Sequence, residues 1–237
     1  MAHERSVGLD ADAFFTLAKP CRFELSVKGS RFIGHAASAN GKEIAEKLTA
    51  SIAGQYRDAT HCCYAYRIGL GDRSLFRTHD AGEPSGTAGK PILQAIDRRR
   101  LCDVVCIVVR YFGGRKLGTG GLARAYGECA GKTLDQGERV EQYLMQTIRL
   151  RYGYEWTGRV MSVIRQYAGK IETGDFQAVT EMGVRVRKSK AMAFRGALAD
   201  ATSGKITVLA DGPSDASNGS RNGQGNVHPK ELHPKKG

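Results

Sequence analysis

Residues 103–126 read DVVCIVVRYFGGRKLGTGGLARAY. Their first ten residues form the most continuous apolar run in the chain and read as a central strand buried on both faces. A glycine loop follows, GGRKLGTGG at 113–121, and leads into a helix expected from about Leu122 to Leu134. Upstream, CRFELSVKGSRFIGHAA (21–37) reads as two strands turning at Lys28-Gly29-Ser30. Residues 41–53 place Ile44, Leu48 and Ile52 every fourth residue, as an amphipathic helix does. A strand is expected over 61–69, a Gly/Ser/Pro-rich loop from His79 to Gly89, and a helix over about 90–100, with Pro91 in its first turn.

Downstream the rhythm changes. A strand at 143–152 is followed by a helix near 155–168 bearing Trp156, Val160, Val163, Ile164 and Tyr167. Strands near 170–173 and 176–187, a helix near 190–201 and a strand at 205–210 complete a β-α-β-β-α-β order, the ferredoxin-like split arrangement. The expected fold class is therefore α+β in two domains, 1–141 and 142–210, with the boundary in the polar run QGERVEQ at 136–142. Residues 211–237, dense in Gly, Ser, Asn and Pro, carry little beyond Val227 and Leu232 to bury and are expected to be disordered.

The second glycine loop contains Gly118-Thr119-Gly120-Gly121-Leu122-Ala123, a literal G-x-G-x-x-A, and Glu141 lies about 20 residues on. A dinucleotide site needs its turn directly after the strand. Here Gly113 to Leu117 intervene, and a starting hairpin is not how a doubly wound sheet begins. No nucleotide cofactor is expected. The first loop, DAGEPSGTAGKP at 80–91, is not a Walker A motif either: Pro84 and Pro91 stand where glycine and Ser/Thr are required.

Both loops read either as tight turns or as anion cradles at helix N-termini. In the second reading Glu83, Ser85, Gly86, Thr87, Gly89 and Lys90 form one half. Gly113, Gly114, Arg115, Lys116, Gly118, Thr119, Gly120 and Gly121 form the other, with Arg110, Tyr111 and Arg124 around it. His61 and Asp80 are polar neighbours of the same region. Among Tyr64, Tyr66, Tyr111, Phe112 and Tyr126, most are expected in the core; Tyr111 is the expected exception, placed to stack on an unpaired base.

The chain has 237 residues and a net charge of +12, enough apolar material for two cores, and no stretch approaching the ~20 apolar residues of a membrane span. Residues 1–141 hold 21 Lys/Arg against 16 Asp/Glu; residues 142–210 hold 11 against 5, so the second domain is the denser positive body. Such an excess favours polyanions through counterion release. The first thirty residues lack a secretory pattern, so the expected location is the cytoplasm. Six cysteines at 21, 62, 63, 102, 106 and 129 form no CxxC pair. They read as buried, reduced thiols, with Cys102 and Cys106 on one side of a strand. No metal is expected.

Four segments, SRFIGHA (30–36), ATHCCYAYRIG (59–69), DAGEPSGTAGKPIL (80–93) and VVRYFGGRKLGTGGLARAY (108–126), resemble in order and spacing the signature of the IMPACT/YigZ family. Ala81 stands where an acid is expected, and Cys62 where a second histidine is common. The resemblance implies a first domain with the fold of the second domain of ribosomal protein S-five. It also implies a ferredoxin-like second domain similar to one in elongation factor G. The eukaryotic namesake is a translational regulator, and bacterial members are described as nucleic-acid-binding or translation-associated. No catalytic residue carries over.

The expected function is thus a non-enzymatic translation-associated regulator. It would bind RNA, the ribosome or translation-related proteins, with no membrane partner. A protein-interaction module without RNA contact is a second reading. The enzymatic alternative is a phosphate-ester-acting enzyme using the loops as its anion site. His61, His79, Asp80, Glu83, Ser85 and Thr87 offer acid–base and nucleophilic groups for it, but no G-x-S-x-G or H-E-x-x-H motif supports it.

Overall fold

The computed structural model describes residues 12–71, 74–176 and 179–209; the tail expected from 211 lies outside the described residues. The first domain is built on a five-stranded antiparallel sheet. Its strands are β2 (Cys21–Val27), β3 (Ser30–Ser38), β4 (His61–Ile68), β5 (Leu75–His79) and β6 (Val104–Tyr111), in the order β2-β3-β6-β4-β5. The apolar run is the central strand, β6, and both of its faces are covered. Val104, Cys106 and Val108 pack under α2 (Gly89–Arg98) and α3 (Gly118–Asp135), while Val105 and Ile107 face α1 (Lys42–Gln55). The β2–β3 turn has positive φ at both Lys28 (47°) and Gly29 (84°). That geometry suits the right-handed twist of a two-residue hairpin.

α2 and α3 run side by side in the same direction. Pro91, in the first turn of α2, lies against Gly127 midway along α3, and Arg99 holds Asp135 through two bonds of 2.7 and 2.6 Å near the ends of both helices. A side chain at Gly34 on β3 would collide with Thr133 of α3, so that glycine permits the helix to lie down on the sheet.

The second domain has β8 (Met145–Gly153), α4 (Thr157–Gln166), β9 (Lys170–Phe176), β10 (Val179–Arg187), α5 (Ala191–Ala201) and β11 (Thr207–Val208). Its sheet order, β11-β8-β10-β9, is that of the ferredoxin-like arrangement, with both helices on one face over Ile148, Leu150, Val184 and Val186. The chain is a two-domain α+β protein. No helix among the described residues is long and apolar enough to cross a membrane.

Several expectations need correction. The polar run at 136–142 is not a linker: β7 (Arg139–Tyr143) pairs with β1 (Ala13–Leu17) as a two-stranded ribbon, so a boundary at 141 would cut a strand. Helix α3 starts at Gly118, a turn before Leu122, because the glycines there belong to its first turn rather than to a loop. Cys102 precedes β6 instead of sharing a face with Cys106; its thiol donates to the Gly69 carbonyl at 2.7 Å. All six cysteines are free, though Cys21 and Cys62 are only partly buried. Burial pushes the Cys63, Cys102 and Cys129 thiols up to about 12.

The domains are tied at Asp12. Its carbonyl accepts from the Leu144 N–H at 2.8 Å, and its carboxylate Oδ2 accepts from the Ser189 N–H (3.0 Å) and hydroxyl (2.6 Å). Ser189 lies in the short 3-10 turn (Lys188–Lys190) leading into α5, so the first domain pins the entry to a helix of the second.

Candidate functional site

The site residues gather at the end of the sheet where β6 exits and α2 and α3 begin. The register pairs His61 with Arg110 and Arg31 with Tyr111, which sets the starts of β4 and β3 beside the end of β6.

The first loop folds around Asp80. Its Oδ1 accepts from the Ala88 N–H (3.0 Å) and the Gly89 N–H (2.8 Å), and its Oδ2 accepts from the Gly86 N–H (2.8 Å). Burial opposes ionisation, but those N–H groups hold the Asp80 carboxyl below the usual carboxylate range. The donors expected to face an external anion at Gly86–Gly89 are thus already occupied by the protein's own carboxylate. The Thr87 hydroxyl is also used internally, donating to the Pro84 carbonyl at 2.6 Å. Ser85, Gly86 and Lys90 remain exposed. Ala81 sits at φ 47°, a left-handed conformation that Asp or Asn adopts more easily than Ala.

Glu83 points inward, not toward solvent. Its side chain is 3% exposed and that of Arg110 is 5% exposed. Glu83 Oε1 accepts from Arg110 Nη1 at 2.6 Å and from the Tyr126 hydroxyl at 2.8 Å. Burial and the neighbouring Cys63 push the Tyr126 phenol far up, so it remains a donor. His61 Nδ1 lies 2.9 Å from the Ala81 carbonyl, which can only accept, so the ring proton sits on Nδ1. Its Nε2 lies 3.7 Å from Glu83.

Arg110 links the two loops. Its Nη2 donates to Ser30 Oγ at 3.3 Å, and the same oxygen accepts from the Gly113 N–H at 3.1 Å. Gly113 lies against the backbone of Gly29 so closely that any side chain would collide. The Arg110 guanidinium sits between the rings of Phe32 (5.5 Å) and Phe112 (5.6 Å), and its Nε has no hydrogen-bond partner among the described residues.

The second loop differs from the first. The start of α3 has no side-chain cap and no acid in its first turn. Gly114, Arg115, Lys116, Gly118, Thr119, Gly120 and Arg124 are exposed there, and Gly121 is half-buried. Of the aromatics, Tyr66 and Tyr126 are core as expected. Tyr111 lies outside the core as expected, but Tyr64 is only half-buried and Phe112 is exposed, so fewer of the five are core than expected. Tyr111 is engaged, its hydroxyl by Asp58 at 2.8 Å and its ring by Arg31 at 4.8 Å, while Phe112 is 49% exposed.

The Impact N-terminal domain family matches residues 28–134, the span containing both loops. A domain of unknown function, DUF1949, matches residues 150–205. The chain is 35% identical over 196 residues to the IMPACT family member YvyE of Bacillus subtilis, covering 83% of this chain and 90% of that one. The chain belongs to the IMPACT family. Another IMPACT family member, YigZ of Escherichia coli, is 34% identical over 194 residues, covering 81% of this chain and 95% of the relative. A crystal structure described as that of a hypothetical protein superposes with a TM-score of 0.65 at 32% identity, covering 84% of this chain and 97% of its own.

Proposed function

We propose that this IMPACT family chain is a non-enzymatic, translation-associated factor. It holds RNA, free or within the ribosome, at the Gly113–Arg124 segment. The observation that carries the reading is the contrast between two parallel helix starts. That of α2 is filled by Asp80; that of α3 is uncapped, with Arg115, Lys116 and Arg124 exposed and without ion-pair partners among the described residues. Unfilled N–H groups and nearby cations attract phosphate. The non-enzymatic reading is supported by the carboxylates. Asp80 is held by backbone N–H groups and Glu83 by Arg110 and Tyr126, which leaves neither placed to serve as a base.

Binding to labelled RNA and to ribosomes, titrated with salt, tests this. Charge reversal in R115E/K116E should weaken binding about tenfold or more at low salt. It should also lower the log–log salt slope by roughly 0.7 for each single-strand phosphate that is no longer neutralised. K90E should change little, because the donors beside it are already bonded. Wild-type binding that ignores salt, or that survives the double reversal, overturns the proposal. Partners recovered unchanged after nuclease treatment would favour a protein-interaction module instead.

A further inference from the structure

We infer that Phe112 is a stacking platform for an unpaired nucleobase, so that the ligand of the α3 site is single-stranded rather than duplex RNA. This deepens the RNA reading above and rests on it. An isolated exposed Phe is ordinary on a protein surface; this one is held in a specific way. It is 49% exposed, yet its own N–H donates to Thr60 Oγ1 at 3.0 Å and the next N–H, at Gly113, donates to Ser30 Oγ at 3.1 Å. The ring's inner side lies on the Arg110 guanidinium, 5.6 Å from its centroid. That guanidinium is itself fixed from behind by the Phe32 ring, by Glu83 and by Ser30. Arg110 is buried, and its Nε has no hydrogen-bond partner among the described residues.

The platform is thus rigid before any ligand arrives, and ordering it costs binding little. Two glycines separate it from Arg115 and Lys116, and Gly113 leaves no side chain between them. An aromatic face beside a basic, glycine-lined backbone track is the combination that recognises unpaired nucleotides: every base has a π-face, and the adjoining phosphates meet the cations. A duplex, with its bases already stacked, offers the ring nothing.

The experiment compares wild type with F112A, F112L and F112W, using fluorescein-labelled oligouridine, an RNA duplex of equal length and inorganic polyphosphate as probes. Phe112→Leu keeps the apolar cover over Arg110 but removes the π-face, so it separates stacking from folding. F112A and F112L should weaken oligouridine binding at least roughly fivefold, the fold-change of about 1 kcal/mol at the low end for one stacked base. Polyphosphate affinity and the salt slope should not move, and F112W should restore binding. Equal loss on all three probes, or no loss for F112L, overturns the platform. If R115E/K116E abolishes binding while F112A and F112L retain it, the RNA reading stands and the platform falls. If wild type binds none of the probes, both fall.

Discussion

Removing the Glu83 carboxylate should take away much of the first domain's stability, and the structure sets the scale. Glu83 and Arg110 are 3% and 5% exposed at the side chain, and one oxygen, Oε1, receives both Arg110 and Tyr126. In Glu83→Ala, Arg110 keeps its charge in a buried place without its counter-ion, a loss of about 3–5 kcal/mol. Against a total of about 5–15 kcal/mol for a domain, that is a large fraction. With a urea m-value of about 2 kcal/mol/M, the midpoint should fall by roughly 2 M. Glu83→Gln keeps an acceptor and should cost less, about 1.5–3 kcal/mol. The double variant E83L/R110M removes both charges and leaves a thioether between Phe32 and Phe112, a contact methionine makes readily. It should recover to within about 1 kcal/mol of wild type, since apolar replacement of a buried pair is often neutral. Far-UV circular dichroism follows the whole chain, while fluorescence of Trp156, which packs on the second core, serves as an internal reference. A midpoint shift in E83A below about 0.5 M, or a double variant as unstable as the two single changes combined, would refute the reasoning.

Two glycines in the first turn of α3 should respond oppositely to alanine. Gly118 has φ 69°, so Gly118→Ala should cost about 1 kcal/mol or more; Gly120 has ordinary φ and open space around it, so Gly120→Ala should be neutral or gain up to about 1 kcal/mol of helix propensity, as thermal melts would show. Gly120 is thus not the strained position that its place in a G-x-G pattern suggests. Asp80, whose folded pKa lies below its unfolded value near 3.9, adds stability that is present above that value and lost as pH falls through the folded one. Asp80→Asn should therefore cost roughly 1 kcal/mol at neutral pH, an amount limited by solvent screening, and should flatten the acid limb of a stability–pH curve measured by urea melts; an acid limb as steep as that of wild type would refute this.

Much of the architecture is legible in the sequence because its signals are local. The run from Val104 to Val109 marks the central strand, and the alternation around Ile148, Leu150, Val184 and Val186 marks the second sheet. The ribbon of β1 and β7 is not legible: Arg139–Tyr143 is mostly polar, and its partner lies over a hundred residues away. The site is legible as a neighbourhood but not in its wiring. Asp80 caps a helix from nine residues before Gly89, a spacing outside the usual capping box, so its N–H groups look free in the sequence. A carboxylate in a Gly/Pro/Ser loop reads as solvated, yet Glu83 turns inward because Arg110 and Tyr126 wait beneath it. Which of Tyr111 and Phe112 is available depends on where β6 stops pairing. The strand ends at Tyr111, whose neighbours Asp58 and Arg31 are brought in only by the fold.

The bond from Asp12 to Ser189 spans 177 positions of sequence. A ribosome making this chain releases the acceptor long before the donor exists, so the turn that enters the second domain's last helix is held by a group made 177 residues earlier. The two halves are therefore not interchangeable cassettes. A second domain excised at Met145, or grafted behind a foreign head, would arrive with the turn ahead of α5 stripped of the carboxylate that holds it. Compatible fusion points must carry the strand ribbon and the residue just ahead of it as part of the transplanted piece.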